Sequence, residues 1–80
     1  MLFRSLRDVL RKLARAGISL LMVTHHLPDI IPEIGRVVAI RDGRIHRDGP
    51  KEQVLDAATL SAVFGHPVEV LLRAGYYHVL

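Results

Sequence analysis

Two adjacent histidines, His25 and His26, are the side chains in this sequence best placed to bind a ligand. They follow Thr24 at the end of an apolar run, residues 18–23, in which only Ser19 is polar. We expect this run to be a β-strand covered on both faces, as the strands of parallel sheets are. Ligands of open α/β sheets bind at the carboxyl ends of the strands, which is where these histidines would lie.

A metal site at these two histidines is not expected. Neighbouring side chains of an extended chain point to opposite sides, so chelation of one ion by both His25 and His26 is disfavoured. The remaining histidines, His46, His66 and His78, have no ligand-like spacing. The sequence contains no cysteine, which excludes both disulfides and thiolate zinc sites.

An amphipathic helix is predicted before the strand. Its apolar residues recur at spacings of three and four, which predicts one buried stripe, and Gly17 suits a left-handed C-terminal cap. The stripe consists of Leu2, Leu6, Val9, Leu10 and Leu13. The same helix is basic, and we interpret its charges as a solvated face. Those charges are Arg4, Arg7, Arg11, Lys12 and Arg15, against Asp8.

The segment after the histidines predicts a short helix and a hairpin. Pro28 suits a first helical turn, with Asp29 near its positive end. Residues 36–40 form a second apolar strand, and Asp42-Gly43 predicts a tight turn into residues 44–47.

Two helices and a second hairpin complete the predicted order of elements. Pro50 suits the first position of a helix that runs to about residue 55. Asp56 or Thr59 can cap the next helix, which reaches Phe64 and closes at Gly65. Residues 68–72 and 76–80 then flank Ala74-Gly75 as a terminal β-hairpin.

Length and composition predict one small globular domain. The chain has 80 residues, 24% of them charged, and a net charge of +3. No apolar run reaches the roughly 18 residues of a membrane span, and the first residues lack a secretory signal pattern. We therefore expect a soluble, cytoplasmic protein.

The two apolar strands demand more cover than the predicted helices can give. Each strand has apolar side chains on both faces, so each needs a layer above and a layer below. An uncovered face would expose about four to six large aliphatic side chains, each worth roughly 1.5–3 kcal/mol when buried. That approaches the whole stability of a small domain, about 5–15 kcal/mol. The chain is therefore expected to pack against the remainder of a larger domain or against a partner chain, including a second copy.

Several ordered features resemble one family. Residues 18–34 (ISLLMVTHHLPDIIPEI) are followed by the strand VVAI at 37–40, by RDGRI at 41–45 and by DGPKEQV at 48–54. This succession is similar to the C-terminal part of the ATP-binding subunit of ABC transporters, from the H-loop onward. The IIPEI segment and the LSAVFG segment at 60–65 are most similar to the molybdate- and iron-type subunits.

The resemblance implies a fold, a site and partners. The fold would be α/β, a partial P-loop NTPase-like sheet, with residues 1–65 forming the C-terminal portion of the ATPase domain and 66–80 a β-hairpin extension. His25 matches the switch histidine, which donates a hydrogen bond to the γ-phosphate of ATP; His26 occupies a position that varies in the family. The intact domain uses ATP and Mg²⁺. Its partners are a second ATPase subunit and a transmembrane permease, at the inner face of the cell membrane.

The motifs that bind and cleave ATP are missing from this sequence. None of the six glycines precedes a lysine as a phosphate loop requires, and there is no LSGGQ-like signature. Residues 37–42 (VVAIRD) imitate a strand that ends in a metal-binding carboxylate, but an arginine intervenes. The isolated chain is thus expected to bind no cofactor or metal and to have negligible ATPase activity, so whether it is an enzyme is left open.

Two other readings stay open at the level of sequence. The chain could be a free-standing, non-enzymatic interaction module that pairs through an exposed sheet edge or an apolar face. It could also bind nucleic acid or a membrane surface through its basic first helix, although no recognition motif supports this.

Overall fold

The computed structural model describes residues 6–80, and the predicted start of the first helix at Leu2 lies outside them. The chain is α/β, with three helices, one 3₁₀ turn and two β-hairpins in the described part. In order these are α1 (Leu6–Arg15), the 3₁₀ turn (Leu27–Asp29), β1 (Arg36–Arg41), β2 (Arg44–Pro50), α2 (Lys51–Val54), α3 (Ala57–Phe64), β3 (Val70–Arg73) and β4 (Tyr76–Val79).

Both predicted hairpins are confirmed, and the backbone conformation of their turn residues explains why they form. β1 pairs antiparallel with β2, and β3 with β4. The central residues of the first turn, Asp42 and Gly43, have φ of 53° and 74°, and those of the second, Ala74 and Gly75, have 52° and 86°. Two successive positive φ values define the turn whose twist matches that of the flanking strands.

The predicted strand at residues 18–23 is not formed, and this is the main correction to the sequence-based fold. The described residues contain two separate two-stranded sheets, and neither includes this segment. A strand needs a hydrogen-bonded neighbour, because its N–H and C=O groups are otherwise unpaired. Neither hairpin supplies one, so the segment runs without regular structure between α1 and the 3₁₀ turn.

The predicted helix ends are confirmed at three positions. Gly17 has φ of +88°, and the neighbouring amides of Gly17 and Ile18 bond back to Ala14 and Leu13, as in a Schellman cap. The carboxylate of Asp56 accepts the Thr59 amide at 2.7 Å and so caps α3, which ends at Gly65. Thr59 itself is not the cap, and Pro50 precedes α2 instead of opening it.

The core lies between the segment after the histidines, α2, α3 and the terminal hairpin. Its main cluster joins residues far apart in sequence, so the terminal hairpin packs on the rest of the chain. The cluster contains Leu27, Ile30, Leu55, Leu60, Val68 and Tyr77. Ile31 and Val54 have no exposed surface at all.

The predicted burial of the α1 apolar stripe is wrong in the described part of the helix. Leu6, Val9 and Leu13 are 71%, 53% and 37% exposed, and no residue of α1 is buried. The prediction that the basic side chains form a solvated face is confirmed for Arg7, Lys12 and Arg15, which are exposed, whereas Arg11 is half-buried. Arg7 and Arg11 contact the body of the protein, as described below, and hold α1 in place.

The predicted shortage of cover over the apolar segments is confirmed. Leu21 is 96% exposed and Val23 is 94% exposed, while their neighbours Leu20 and Met22 are half-buried. In β1 the inward Ala39 is buried, but Ile40 on the outer face is 60% exposed. One face of each segment is therefore packed and the other is open.

Candidate functional site

The segment that carries the two histidines is closed into a tight bend by Thr24. Its hydroxyl accepts a hydrogen bond from the His26 amide at 2.9 Å and donates one to Asp29 Oδ2 at 2.8 Å. The other carboxylate oxygen of Asp29, Oδ1, lies 3.2 Å from Nδ1 of His26. Thr24, His26 and Asp29 thus form a connected set of hydrogen bonds, which we call the bend network.

His25 stands at the apex of this bend. Its two neighbours are both engaged in the bend network, whereas its own ring makes no hydrogen bond or ion pair with any residue between Leu6 and Leu80. The residue is exposed. Because its backbone is held from both sides and its ring is not, His25 is presented outward with both ring nitrogens available to a ligand.

The charge state of Asp29 fits its role in the bend network. The hydrogen bond from the Thr24 hydroxyl, and then that from His26, lower the pKa of Asp29 below its ordinary value, because both stabilise the carboxylate. Arg7 on α1 contributes in the same direction through its charge. As an acceptor, the carboxylate favours a proton on Nδ1 of His26.

A shallow groove of about 520 Å³ runs beside the bend. It lies between α1 and the unpaired segment, and His25 is not among its lining residues. The lining residues are Leu6, Arg7, Leu10, Met22, Val23, Thr24 and Asp29. Arg7 closes one side, since its guanidinium lies 4.7 Å from the centre of the Tyr76 ring and Nη1 lies 3.4 Å from the Pro28 carbonyl oxygen.

Glu33 fixes the position of α1 against the segment that follows the bend. Its carboxylate accepts from Arg11 Nε at 2.9 Å and from Arg15 Nε at 3.0 Å. Partial burial on its own would raise the pKa of Glu33, but the hydrogen bond from Arg11 and the contribution of Arg15 outweigh it and lower that pKa. The carboxylate is therefore ionised at neutral pH and holds both arginines.

Within residues 6–80 no three histidine, aspartate or glutamate side chains come together as a metal site would require. In the same range no helix has the length and hydrophobicity needed to cross a bilayer. His46 lies at the tip of the first hairpin, lining a surface depression with Arg44, and His66 stacks on Phe64. None of these histidines is brought to the bend.

Asp29 and Thr24 are the residues that sequence reasoning missed. It assigned Asp29 only to the end of a helical turn and His26 only to the neighbourhood of His25. The available signal was the spacing: a histidine and an aspartate three residues apart, after a threonine, can close a local turn through side-chain to backbone hydrogen bonds.

Curated proteins similar to this chain are ATP-binding subunits of importers. The hemin import ATP-binding protein HmuV of Rhodococcus jostii is 36% identical over 61 residues, which is 76% of this chain and 21% of that protein. HmuV of Streptomyces coelicolor is 40% identical over 60 residues, 75% of this chain and 21% of the relative. The arabinose import ATP-binding protein AraG 1 of Burkholderia lata is 39% identical over 54 residues, 68% of this chain and 11% of that protein.

These similarities support the resemblance to ABC ATPase subunits and do not single out the molybdate- and iron-type subunits. No protein-family profile matches the chain. The chain spans about a fifth of the length of the hemin import relatives and about a tenth of the sugar import relatives. Over 68–76% of its own length, this chain is similar to the ATP-binding subunits of import systems.

Proposed function

We propose that this chain is the C-terminal part of an ABC-transporter ATPase subunit, in which His25 is the switch histidine that contacts the γ-phosphate of ATP. The observation that carries the proposal is the placement of His25. It stands outward on a fixed bend, directly after an apolar segment that lacks its sheet neighbours. In the intact domain that segment would be a strand, and the bend would lie at its carboxyl end, where nucleotide sites of such sheets lie.

The exposed side chains of the unpaired segment support this placement. Leu21 and Val23 are almost fully exposed, although burying each would stabilise a fold by roughly 1.5–3 kcal/mol. A flanking strand and a covering helix from the rest of an ATPase domain would supply both the missing hydrogen bonds and the missing cover. In the proposed intact domain, residues 1–65 complete the ATPase fold and residues 66–80 extend it.

The chemistry assigned to His25 needs only what an exposed imidazole can provide. Phosphoryl transfer depends on positioning and on stabilising charge, and a ring N–H can donate to a γ-phosphate oxygen or to the attacking water. ATP and Mg²⁺ would be held by the phosphate loop and carboxylates of the rest of the domain. Because the sequence contains none of those motifs, we predict negligible ATPase activity for the isolated chain.

The proposed partners follow from the same assignment. They are the remainder of the ATPase domain, a second ATPase subunit and a transmembrane permease, which would place the assembly at the inner face of the cell membrane. The relatives named above import hemin and sugars; for this chain we propose transport of a small solute or metal ion. Molybdate or iron is the finer proposal that the IIPEI and LSAVFG segments suggest.

A second candidate is a free-standing interaction module. Such a module would bind its partner through an exposed apolar surface. The outer face of β1 and the α1 stripe are both exposed apolar surfaces in this chain. A basic-helix binder of nucleic acid or membranes is less well supported, because Arg11 and Arg15 are already engaged by Glu33 and Arg7 by Tyr76.

Reconstitution of a split domain tests the proposal. HmuV of Rhodococcus jostii would be truncated so that the segment similar to this chain is removed, and the purified 80-residue chain would be added back. We expect ATP turnover only when both pieces are present. Turnover by the chain alone, or no turnover from a stable complex of the two pieces, would contradict the proposal.

A further inference from the structure

The bend network has no role in the function proposed above, and it is a connected set of side-chain hydrogen bonds among the described residues. The Thr24 hydroxyl bridges the His26 amide and Asp29 Oδ2, and Asp29 Oδ1 lies 3.2 Å from His26 Nδ1, so both carboxylate oxygens have a partner within the loop. The three residues span positions 24 to 29, with His25 inside the loop they close. Such a loop restricts the backbone of His25 without touching its ring.

We infer that Thr24 and Asp29 are positioning residues that fix the backbone of His25, and with it the direction of its Cα–Cβ bond, before any phosphate is bound. Fixing that direction removes part of the entropy that would otherwise be lost when the imidazole is ordered against a ligand. Thr24 is the central member, because its hydroxyl both accepts from the backbone and donates to Asp29. The inference rests on the proposed role of His25 but is observable without ATP.

The surroundings of Asp29 indicate why the network persists in an exposed loop. Asp29 faces Thr24 and His26 from its own segment and the positive charge of Arg7 from α1. Arg7 is itself fixed by the Tyr76 ring of the terminal hairpin. Arg7 also donates to the Pro28 carbonyl at 3.4 Å, so α1 contacts the segment that carries the bend, although each hydrogen bond on its own is exposed and weak.

The closing experiment compares two substitutions of one residue. Thr24→Val keeps the shape of the side chain and removes the hydroxyl, whereas Thr24→Ser keeps the hydroxyl. Asp29→Asn is a second test of the network. Asp48→Asn is the control, because Asp48 pairs with Arg36 in the first hairpin, away from the bend.

The first readout is ¹⁵N relaxation of the His25 amide in the 80-residue chain. We expect an order parameter of about 0.8 or more in the wild type, Thr24→Ser and Asp48→Asn, and below about 0.6 in Thr24→Val. The chain needs no activity for this measurement. An equally ordered His25 in Thr24→Val, or a disordered His25 in the wild type, would overturn the inference.

The second readout is turnover by the reconstituted split domain. We expect Thr24→Val to lower kcat by roughly ten-fold with little change in the KM for ATP, because the variant loses the alignment of His25 and keeps the contacts that bind ATP. Thr24→Ser, which keeps the hydroxyl, should have a kcat close to that of the wild type. Equal kcat for the wild type and Thr24→Val would overturn the inference while leaving the proposed function intact. No turnover in any combination would count against the proposed function, and the relaxation data alone would then decide the inference.

Discussion

Arg11 and Glu33 form an ion pair across 22 residues of sequence, with Nε of the arginine 2.9 Å from Oε1 and 3.0 Å from Oε2 of the carboxylate. The pair joins α1 to the segment that follows the bend. Leu6, Val9 and Leu13 of the α1 stripe are exposed and Leu10 is half-buried, so charged contacts of this kind contribute to positioning the helix beside limited apolar packing.

Glu33→Gln should loosen α1, because the amide cannot hold two guanidinium groups as a carboxylate does. We expect faster amide hydrogen exchange in α1 and a lower thermal midpoint. Glu52→Gln, the same change at an exposed glutamate of α2, is the matched control and should leave both unchanged. Unaltered exchange in Glu33→Gln would show that the ion pair does not hold the helix.

The same ion pair predicts a dependence on pH. The folded pKa of Glu33 is below its ordinary value of 4.5, so the carboxylate stabilises the docked helix fully above pH 4.5. That stabilisation is lost as the pH falls from 4.5 through the lower folded pKa. The acid-induced release of α1 should therefore be weaker or absent in Glu33→Gln, as circular dichroism or hydrogen exchange between pH 6 and 3 would detect. Identical acid profiles for the wild type and Glu33→Gln would contradict the role of the Glu33 carboxylate in holding α1.

Substitution of a core isoleucine should unfold much of the population. Ile31 has no exposed surface, so Ile31→Ala removes buried methylene groups and is expected to cost about 2–5 kcal/mol, a large share of what a small domain has. Ile45→Ala, at a side chain that is 67% exposed, should stay within about 0.5 kcal/mol of the wild type. Urea denaturation measures both, and similar losses in the two variants would mean that the core lies elsewhere.

The open face of the unpaired segment should govern association. Replacing Leu21 with Ser and Val23 with Thr removes apolar surface from a segment that makes no sheet contact, so we expect less self-association in sedimentation velocity. The same double variant should reconstitute the split domain poorly. Leu71→Ser, at an exposed position of β3, is the control for reconstitution and should be unaffected. Full reconstitution by the double variant would exclude the segment from the interface.

Most helices and hairpins were predictable from the sequence because each depends on a few neighbouring residues. The turn residues Asp42-Gly43 and Ala74-Gly75 impose positive φ, and Asp56 and Gly65 bound α3 through their own backbone and side-chain bonds. These features need no information from distant parts of the chain, so the hairpins and the helix were predictable.

The failures concern features that depend on a partner. Residues 18–23 have the composition of a buried strand, but a strand forms only when another pairs with it, and no described residue does so. The apolar stripe of α1 likewise predicted burial, which requires a surface to pack on. For the site, the residues around His25 led to its assignment, and its role stays a prediction. The bend network was not, because it depends on the side-chain conformations of Thr24 and Asp29 in a turn that only the structure shows.

The measurement that tests the role of His25 most directly is turnover by the reconstituted split domain with His25→Ala beside His26→Ala. If His25 donates to the γ-phosphate, His25→Ala should lower kcat by about 10²-fold or more, as loss of a preorganised donor does, with little change in KM. His26→Ala, which removes only a support of the bend, should lower it much less. Equal activity of His25→Ala and the wild type would contradict the assignment of His25 as the switch histidine.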